Sequence, residues 1–301
     1  MGRSKDALLF VLEKNLRGHV LNPLWLPRME RRRRRGDAVV AAADRYFAST
    51  HIGDSVKQWP SRRLKEEGPK AFSIWLQGGQ DAPETVKACW RSARKNCQLE
   101  LVVLDSESVF DWIELPDFIV RKWREGRMKP AHFTDICRIE LLYQYGGLWL
   151  DATDLVPAPI PSWIMDEPFF VYVTESNIFG SYAYIQNCFI RGERGNFLLE
   201  AWRSAVFDYW SREDCAIEYF THQLILRHVV KTDRKAIEEF SRMPKVDQAP
   251  THILWAEWAD KPFDAAVFDD VCAGAAFQKT RYRGTVVPGS FADALSGMYR
   301  D

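Results

Sequence analysis

Two pairs of charged residues, close together in this chain, have the types and spacing to act on a polar ligand. In "GGLWLDATDL" (Gly146 to Leu155) an apolar triplet runs into Asp151 and Asp154, with Thr153 between them. Just upstream, Asp135 and Arg138 sit three residues apart and, on a helix, project from one face. An ionised carboxylate at the end of a buried strand is costly unless a positive charge compensates it, so these acids call for a cationic partner. Neither pair is distinctive alone. An i, i+3 ion pair contributes roughly a few tenths of a kcal/mol, and with 41 acids in 301 residues about five or six acid pairs fall at any fixed spacing by chance. The order of parts is what raises them: a helix with Asp and Arg on one face, a glycine pair, an apolar strand carrying Trp149, then acids at the strand's carboxyl end. Such an end can hold a divalent cation and a phosphorylated ligand together, because hard oxygen ligands suit Mg²⁺ or Mn²⁺ and the metal neutralises a diphosphate.

The elements that must position these residues read as an α/β fold. "AFSIWLQGG" (Ala71 to Gly79) is a short apolar strand breaking on two glycines, "APETVKACWRSARKN" (Ala82 to Asn96) a helix with proline in its first turn, and "LELVVL" (Leu99 to Leu104) the next strand. Strand, helix, strand at this spacing predicts a βαβ unit and a mostly parallel central sheet flanked by helices. Ligands in open α/β sheets sit beyond the strands' carboxyl ends, which directs attention to Trp75 to Gly79, Asp105 and Asp151. The run 131–145 carries apolar residues around most of its circumference and predicts a largely buried helix, closed by Gly146 so that residues 148–150 leave as a strand. Downstream, "FFVYV" and "NCFIR" read as strands, "GNFLLEAWRSAVFDYW" and "CAIEYFTHQLILRHVV" as helices, and "FQKTRYR" as a late strand or loop.

Composition is that of a globular chain tilted towards aromatics, with 12 Trp and 18 Phe. Lys plus Arg and Asp plus Glu balance at 41 each, so no global field draws the chain to nucleic acid. Six cysteines without a CxxC pair fit a reduced, cytoplasmic setting. The first apolar run, Ala7 to Leu12, is too short for a signal sequence or a membrane span, and Asp6 stands where N-myristoylation requires Ser or Thr. Residues 1–68 read as a helical, basic extension ahead of a main domain at 69–301. There Leu8, Leu12 and Leu16 at helical spacing and the run "RMERRRRR" (Arg28 to Arg35) fit either a basic membrane-surface anchor or a solvated terminal helix.

"HFTDICRIELLYQYGGLWLDAT" resembles the core signature of the glycosyltransferases related to capsular polysaccharide synthesis proteins, to yeast initiating mannosyltransferases and to the clostridial glucosylating toxins. The likeness runs from about Phe72 to Arg283 and is strongest to the bacterial capsular branch. The resemblance implies a GT-A fold, a nucleoside-diphosphate sugar donor (UDP- or GDP-sugar), a divalent metal, normally Mn²⁺, bound through a DxD motif, and retention of anomeric configuration. Carried over by position, Asp135 and Arg138 match the residues that hold the donor sugar, and Asp151 matches the first DxD aspartate. The second falls on Thr153, with Asp154 either substituting as metal ligand or facing solvent.

Around this centre, Trp75 offers a surface for a nucleobase, Gln77 lies in the same glycine-rich turn, Trp149 packs towards the donor and Lys279 reaches for the diphosphate. His222 reads as a core histidine, and Gln186 and Asn187 as cleft residues. The expected partners are the nucleotide sugar and a capsular or cell-surface glycan acceptor, in one version lipid-linked, with the protein at the inner face of the membrane. Two other readings compete. A haloacid-dehalogenase-like phosphatase requires its second aspartate at Thr153. A non-catalytic sugar-nucleotide or glycan-binding relative would explain the missing DxD aspartate, against the joint presence of Asp135, Arg138 and Asp151.

Overall fold

A computed structural model describes residues 4–17, 28–57, 59, 64, 66–174 and 184–299. Two N-terminal helices, α1 (Lys5–Asn15) and α2 (Arg28–Thr50), precede the sheet. Then come β1 (Lys70–Ile74), α3 (Glu84–Asn96), β2 (Leu101–Leu104), α4 (Val109–Trp112), α5 (Asp117–Arg124), α6 (Pro130–Tyr145), β3 (Gly147–Leu150), β4 (Asp154–Leu155), α7 (Ser162–Met165), β5 (Phe169–Val173) and β6 (Ile185–Gly192). The chain continues through α8 (Phe197–Arg212), α9 (Thr221–Thr232), α10 (Arg234–Arg242), α11 (Ala265–Ala273), β7 (Gln278–Lys279) and α12 (Phe291–Gly297).

The main sheet has the order β2-β1-β3-β6-β5. Strands β1, β2, β3 and β5 share one direction, and β6 runs against both its neighbours. The predicted βαβ unit is β1-α3-β2, paired in parallel from Ala71↔Leu101 to Ile74↔Leu104. The expected α/β architecture, a central mostly parallel sheet flanked by helices, is the one observed.

Helix α6 supplies the reason for the two glycines. It is buried on nearly every side, so it must reverse abruptly into β3 without surfacing. Gly146 and Gly147 both take positive φ, +69° and +109°, a region L-residues rarely enter. A Cβ on Gly147 would lie 1.9 Å from the Lys70 carbonyl oxygen, because β3 pairs with β1 at that point.

Two boundaries differ from the sequence reading. Helix α9 begins at Thr221, leaving residues 215–220 outside it, and only Gln278 and Lys279 of "FQKTRYR" pair as a strand. The N-terminal helices share the core of the main domain: Phe10, Tyr46 and Phe47 are buried in it, and Tyr46 Oη donates to Glu213 at 3.0 Å. The leucine stripe of α1 faces away from that core. Ala7 and Phe10 are buried, whereas Leu8, Leu9, Leu12 and Leu16 are 51%, 53%, 65% and 50% exposed.

Candidate functional site

The sequence-derived residues converge at the carboxyl ends of β1 and β3. Asp151 is the first residue beyond β3, its N–H donating to Cys188 O on β6 at 2.9 Å. Helix α6 passes behind the strand and delivers Asp135 and Arg138. Arg138 lies over the Trp149 ring, 4.8 Å from its centroid. Its Nη2 is 3.1 Å from Asp135 and its Nη1 is 3.4 Å from Asp151, and Nη1 also donates to the Asn187 carbonyl. Trp149 closes the triangle by donating its indole N–H to Asp151 Oδ1 at 2.9 Å. The ring is therefore core and site wall at once, buried to 1% exposure with its polar edge turned to the acid.

The second cation comes from far along the chain. Strands β4 and β7 form a two-stranded antiparallel ribbon with Asp154 opposite Lys279. Lys279 Nζ donates to Asp151 Oδ2 at 2.8 Å and to Asp154 Oδ1 at 2.9 Å. Arg138 and Lys279 thus bracket Asp151, one against each oxygen. Against the cost of burial, Lys279 and then Arg138 hold the Asp151 carboxyl below the usual range, and the two acids in turn keep the Lys279 ammonium charged. Asp154 is different. Its side chain is 0% exposed, and burial pushes its carboxyl up to about 7 in spite of Lys279.

Asp135 is held from behind. Asn187 Nδ2 donates to Asp135 Oδ1 at 2.9 Å, and His132 and His222 lie 3.7 and 3.9 Å from its oxygens. Against its burial, Arg138 and then a hydrogen bond from His132 hold the Asp135 carboxyl below its usual range. His222 stacks on Trp202 at 4.2 Å between centroids, and burial lowers its pKa to about 3, so the ring is neutral. It is a core histidine, as expected, and it forms the back wall of Asp135. Both His222 and His132 line a cavity of ≈ 10 Å³ between α6, α8 and α9.

The other expectations resolve residue by residue. Trp75, half-buried, packs edge-to-face on Tyr282 at 5.0 Å, and Gln77 is exposed in the turn after β1. Gln186 donates towards His252 Nε2 at 2.8 Å. Asp105 is spent locally, its carboxylate accepting from the N–H groups of Glu107 and Ser108. Two residues escaped the sequence reading. His252 sits on a short 3₁₀ turn, its pKa lowered to about 4 by burial and then by Lys279. Tyr219 is 64% exposed, and its hydroxyl is raised by local desolvation and then by Asp135 and Asp151. Its place in an irregular loop left no periodic signal to find it by.

Thr153 and Asp154, where the resemblance implies the second half of a metal motif, are each held by bonds within the chain. The Thr153 carbonyl accepts from Thr280 N–H and Oγ1 at 2.8 and 2.9 Å. Asp154 has one oxygen on Lys279 and the other 3.2 Å from the Asp151 N–H. Its side chain is fully buried and does not face solvent. Among the described residues, no group of three or more His, Cys, Asp and Glu side chains is placed to hold an ion.

Comparison with known proteins bears on the family. A solved structure titled PaToxG Glycosyltransferase aligns with a TM-score of 0.36 at 15% identity, covering 69% of this chain and 84% of that one, a likeness too distant to carry an argument. No curated protein matches. The model of the capsular polysaccharide synthesis proteins, however, matches residues 34–289, taking in α6, both glycines, Asp151 and Lys279. The chain therefore belongs to the capsular polysaccharide synthesis protein family, the branch of glycosyltransferases that its "YGGLWLDAT" signature resembles.

Proposed function

We propose that this glycosyltransferase moves a sugar from a nucleoside-diphosphate donor to a capsular or cell-surface glycan. One observation carries the reading: Asp151, at the carboxyl end of β3, is bracketed by Arg138 and Lys279 and backed by Asp135. Breaking a glycosyl phosphate bond builds positive charge on the ring and negative charge on the leaving diphosphate. A site that sets carboxylates beside cations matches both ends of that charge separation. Arg138 and Lys279 serve the diphosphate. Asp135 and Asp151 accept hydrogen bonds from sugar and ribose hydroxyls, with Trp75 and Gln77 on the side of the base. The anomeric C–O bond breaks and its electron pair leaves on the diphosphate. The acceptor oxygen bonds to the anomeric carbon, and its proton passes to the departing phosphate oxygen. In this reading the acceptor attacks the face that the diphosphate leaves, which gives the retention of configuration that the family resemblance implies.

The acceptor in this reading is lipid-linked. The exposed leucines of α1 and the exposed Arg32 to Arg35 on α2 form an apolar and a basic surface on adjoining helices, the combination that binds an anionic membrane face. Lys14 of α1 pairs with Glu218 at 2.5 Å, next to Tyr219 at the site. In this reading the acceptor enters from the side of Tyr219 and α1. No helix among the described residues is long and apolar enough to cross a membrane.

The test is release of UDP or GDP from a panel of nucleotide sugars by wild type and Asp151→Asn. Release from one donor, lost in the variant, supports the transferase and names its donor class. A donor that binds without ever turning over, with acceptor lipids present, would favour a binding relative instead.

A further inference from the structure

We infer that the cation serving the diphosphate is Lys279 itself, and that Asp151 and Asp154 take no divalent ion. The phosphate half of this assignment rests on the nucleotide-sugar reading; the metal half rests on geometry alone.

The position of the ammonium is set by backbone and packing. Asp154 and Lys279 are opposed in the β4–β7 ribbon, with Leu155 opposite Gln278. The residue before the ribbon, Phe277, is fully buried and stacks on Phe189 at 5.2 Å with an interplanar angle of 5°. Gln278 is tied at three points: its Nε2 donates to Pro250 O at 2.8 Å and Val271 O at 3.0 Å, and its Oε1 accepts from Leu254 N at 3.2 Å. On the far side, Thr280 bonds twice to the Thr153 carbonyl. Residues 277, 278 and 280 thus lock the register on both sides of Lys279, whose ammonium lies in the gap between the two acids.

The gap is already filled. A divalent ion bridging Asp151 and Asp154 would sit against an ammonium 2.8 and 2.9 Å from their oxygens, and the like charges repel strongly at such range. Asp154 cannot turn outward to ligate without breaking its bonds to Lys279 and the Asp151 N–H. Two of the three Lys279 N–H donors are used by the acids among the described residues. The third, on a side chain 19% exposed, remains for a phosphate oxygen. Thr153 stands where a second metal-binding aspartate would be because the resident cation makes that ligand unnecessary.

The experiment pairs Mn²⁺ titration, followed by the EPR signal of the free ion, with calorimetric binding of UDP and GDP in EDTA and in Mn²⁺. Wild-type protein is expected to take up no stoichiometric Mn²⁺ and to bind its nucleotide equally in both buffers. Lys279→Met is expected to lose about tenfold or more in nucleotide affinity in EDTA and to gain one Mn²⁺ site on the released acids. Lys279→Arg, which keeps the charge should the Met variant fold poorly, is expected to bind without metal. One Mn²⁺ per wild-type chain, abolished by Asp154→Asn, would overturn the inference, as would wild-type nucleotide binding that EDTA abolishes. If no nucleotide binds in any buffer, the nucleotide-sugar reading and the phosphate role fall together, while the Mn²⁺ titration still decides the metal half.

Discussion

Helix α6 carries two buried ion pairs of opposite design. In its C-terminal half Glu140 pairs with Arg203 of α8, their side chains 0% and 3% exposed, and Gln144 donates to Glu140 at 2.5 Å. This is one acid against one base, sealed between helices. Nearer its start, Asp135 and Arg138 open onto Asp151 and Lys279, whose side chains keep 29% and 19% exposure. There three carboxylates meet two cations drawn from a helix and three strand ends. A sealed pair gains little over an apolar replacement but is costly to break. An open, unequal cluster spends stability to keep charge within reach of a ligand, which separates a structural site from a binding one.

Substitutions that divide fold from function put this contrast at risk. Asp151→Asn is the largest: turnover should fall by about 10² to 10³, with a melting temperature near wild type, and a matching loss of stability would erase the distinction. Glu140→Ala should do the reverse, costing about 3–5 kcal/mol in denaturant unfolding because buried Arg203 loses its carboxylate, while the folded fraction keeps its donor affinity. Next comes the pH dependence of stability, which sharpens the comparison within the open cluster. His222 falls from its ordinary 6.5 to about 3, so the unfolded chain binds the extra proton and stability rises with pH across that window. Asp154 rises from 3.8 to about 7, so the folded chain holds the extra proton and stability falls with pH across its window. Chemical denaturation from pH 4 to 7 (roughly the overlap of the two windows) should therefore show a steeper fall with rising pH in His222→Gln and a steeper rise in Asp154→Asn. The smallest effect belongs to α1: Leu12→Ser, at a site 65% exposed, should change stability by less than about 0.5 kcal/mol yet weaken co-sedimentation with anionic vesicles. Unchanged sedimentation would remove the membrane contact from the proposed function.

Much of the site was legible in the chain because its parts are local. The helical period of residues 131–145, the glycine pair and the acids beyond Leu150 lie within one short stretch, and helix and strand periodicities place such neighbours without knowledge of the rest. The family signature is carried by the same stretch. Lys279 was nominated for the diphosphate, but its pairing with Asp154 was not. The leucines of α1 were found at helical spacing, but spacing cannot say whether a stripe faces the core or solvent, and here Ala7 and Phe10 took the inner side.

The amino-acid sequence alone therefore determined the family and the α/β class and nominated Asp135, Arg138 and Asp151, since each depends on segments close together in the chain. Only the tertiary structure decided what compensates the acids. The Asp154 to Lys279 contact spans 125 positions, Asn187 to Asp135 spans 52 and Arg203 to Glu140 spans 63. Such pairs form because strand register and aromatic packing bring distant segments together, and no local period in a sequence encodes which charge will meet which.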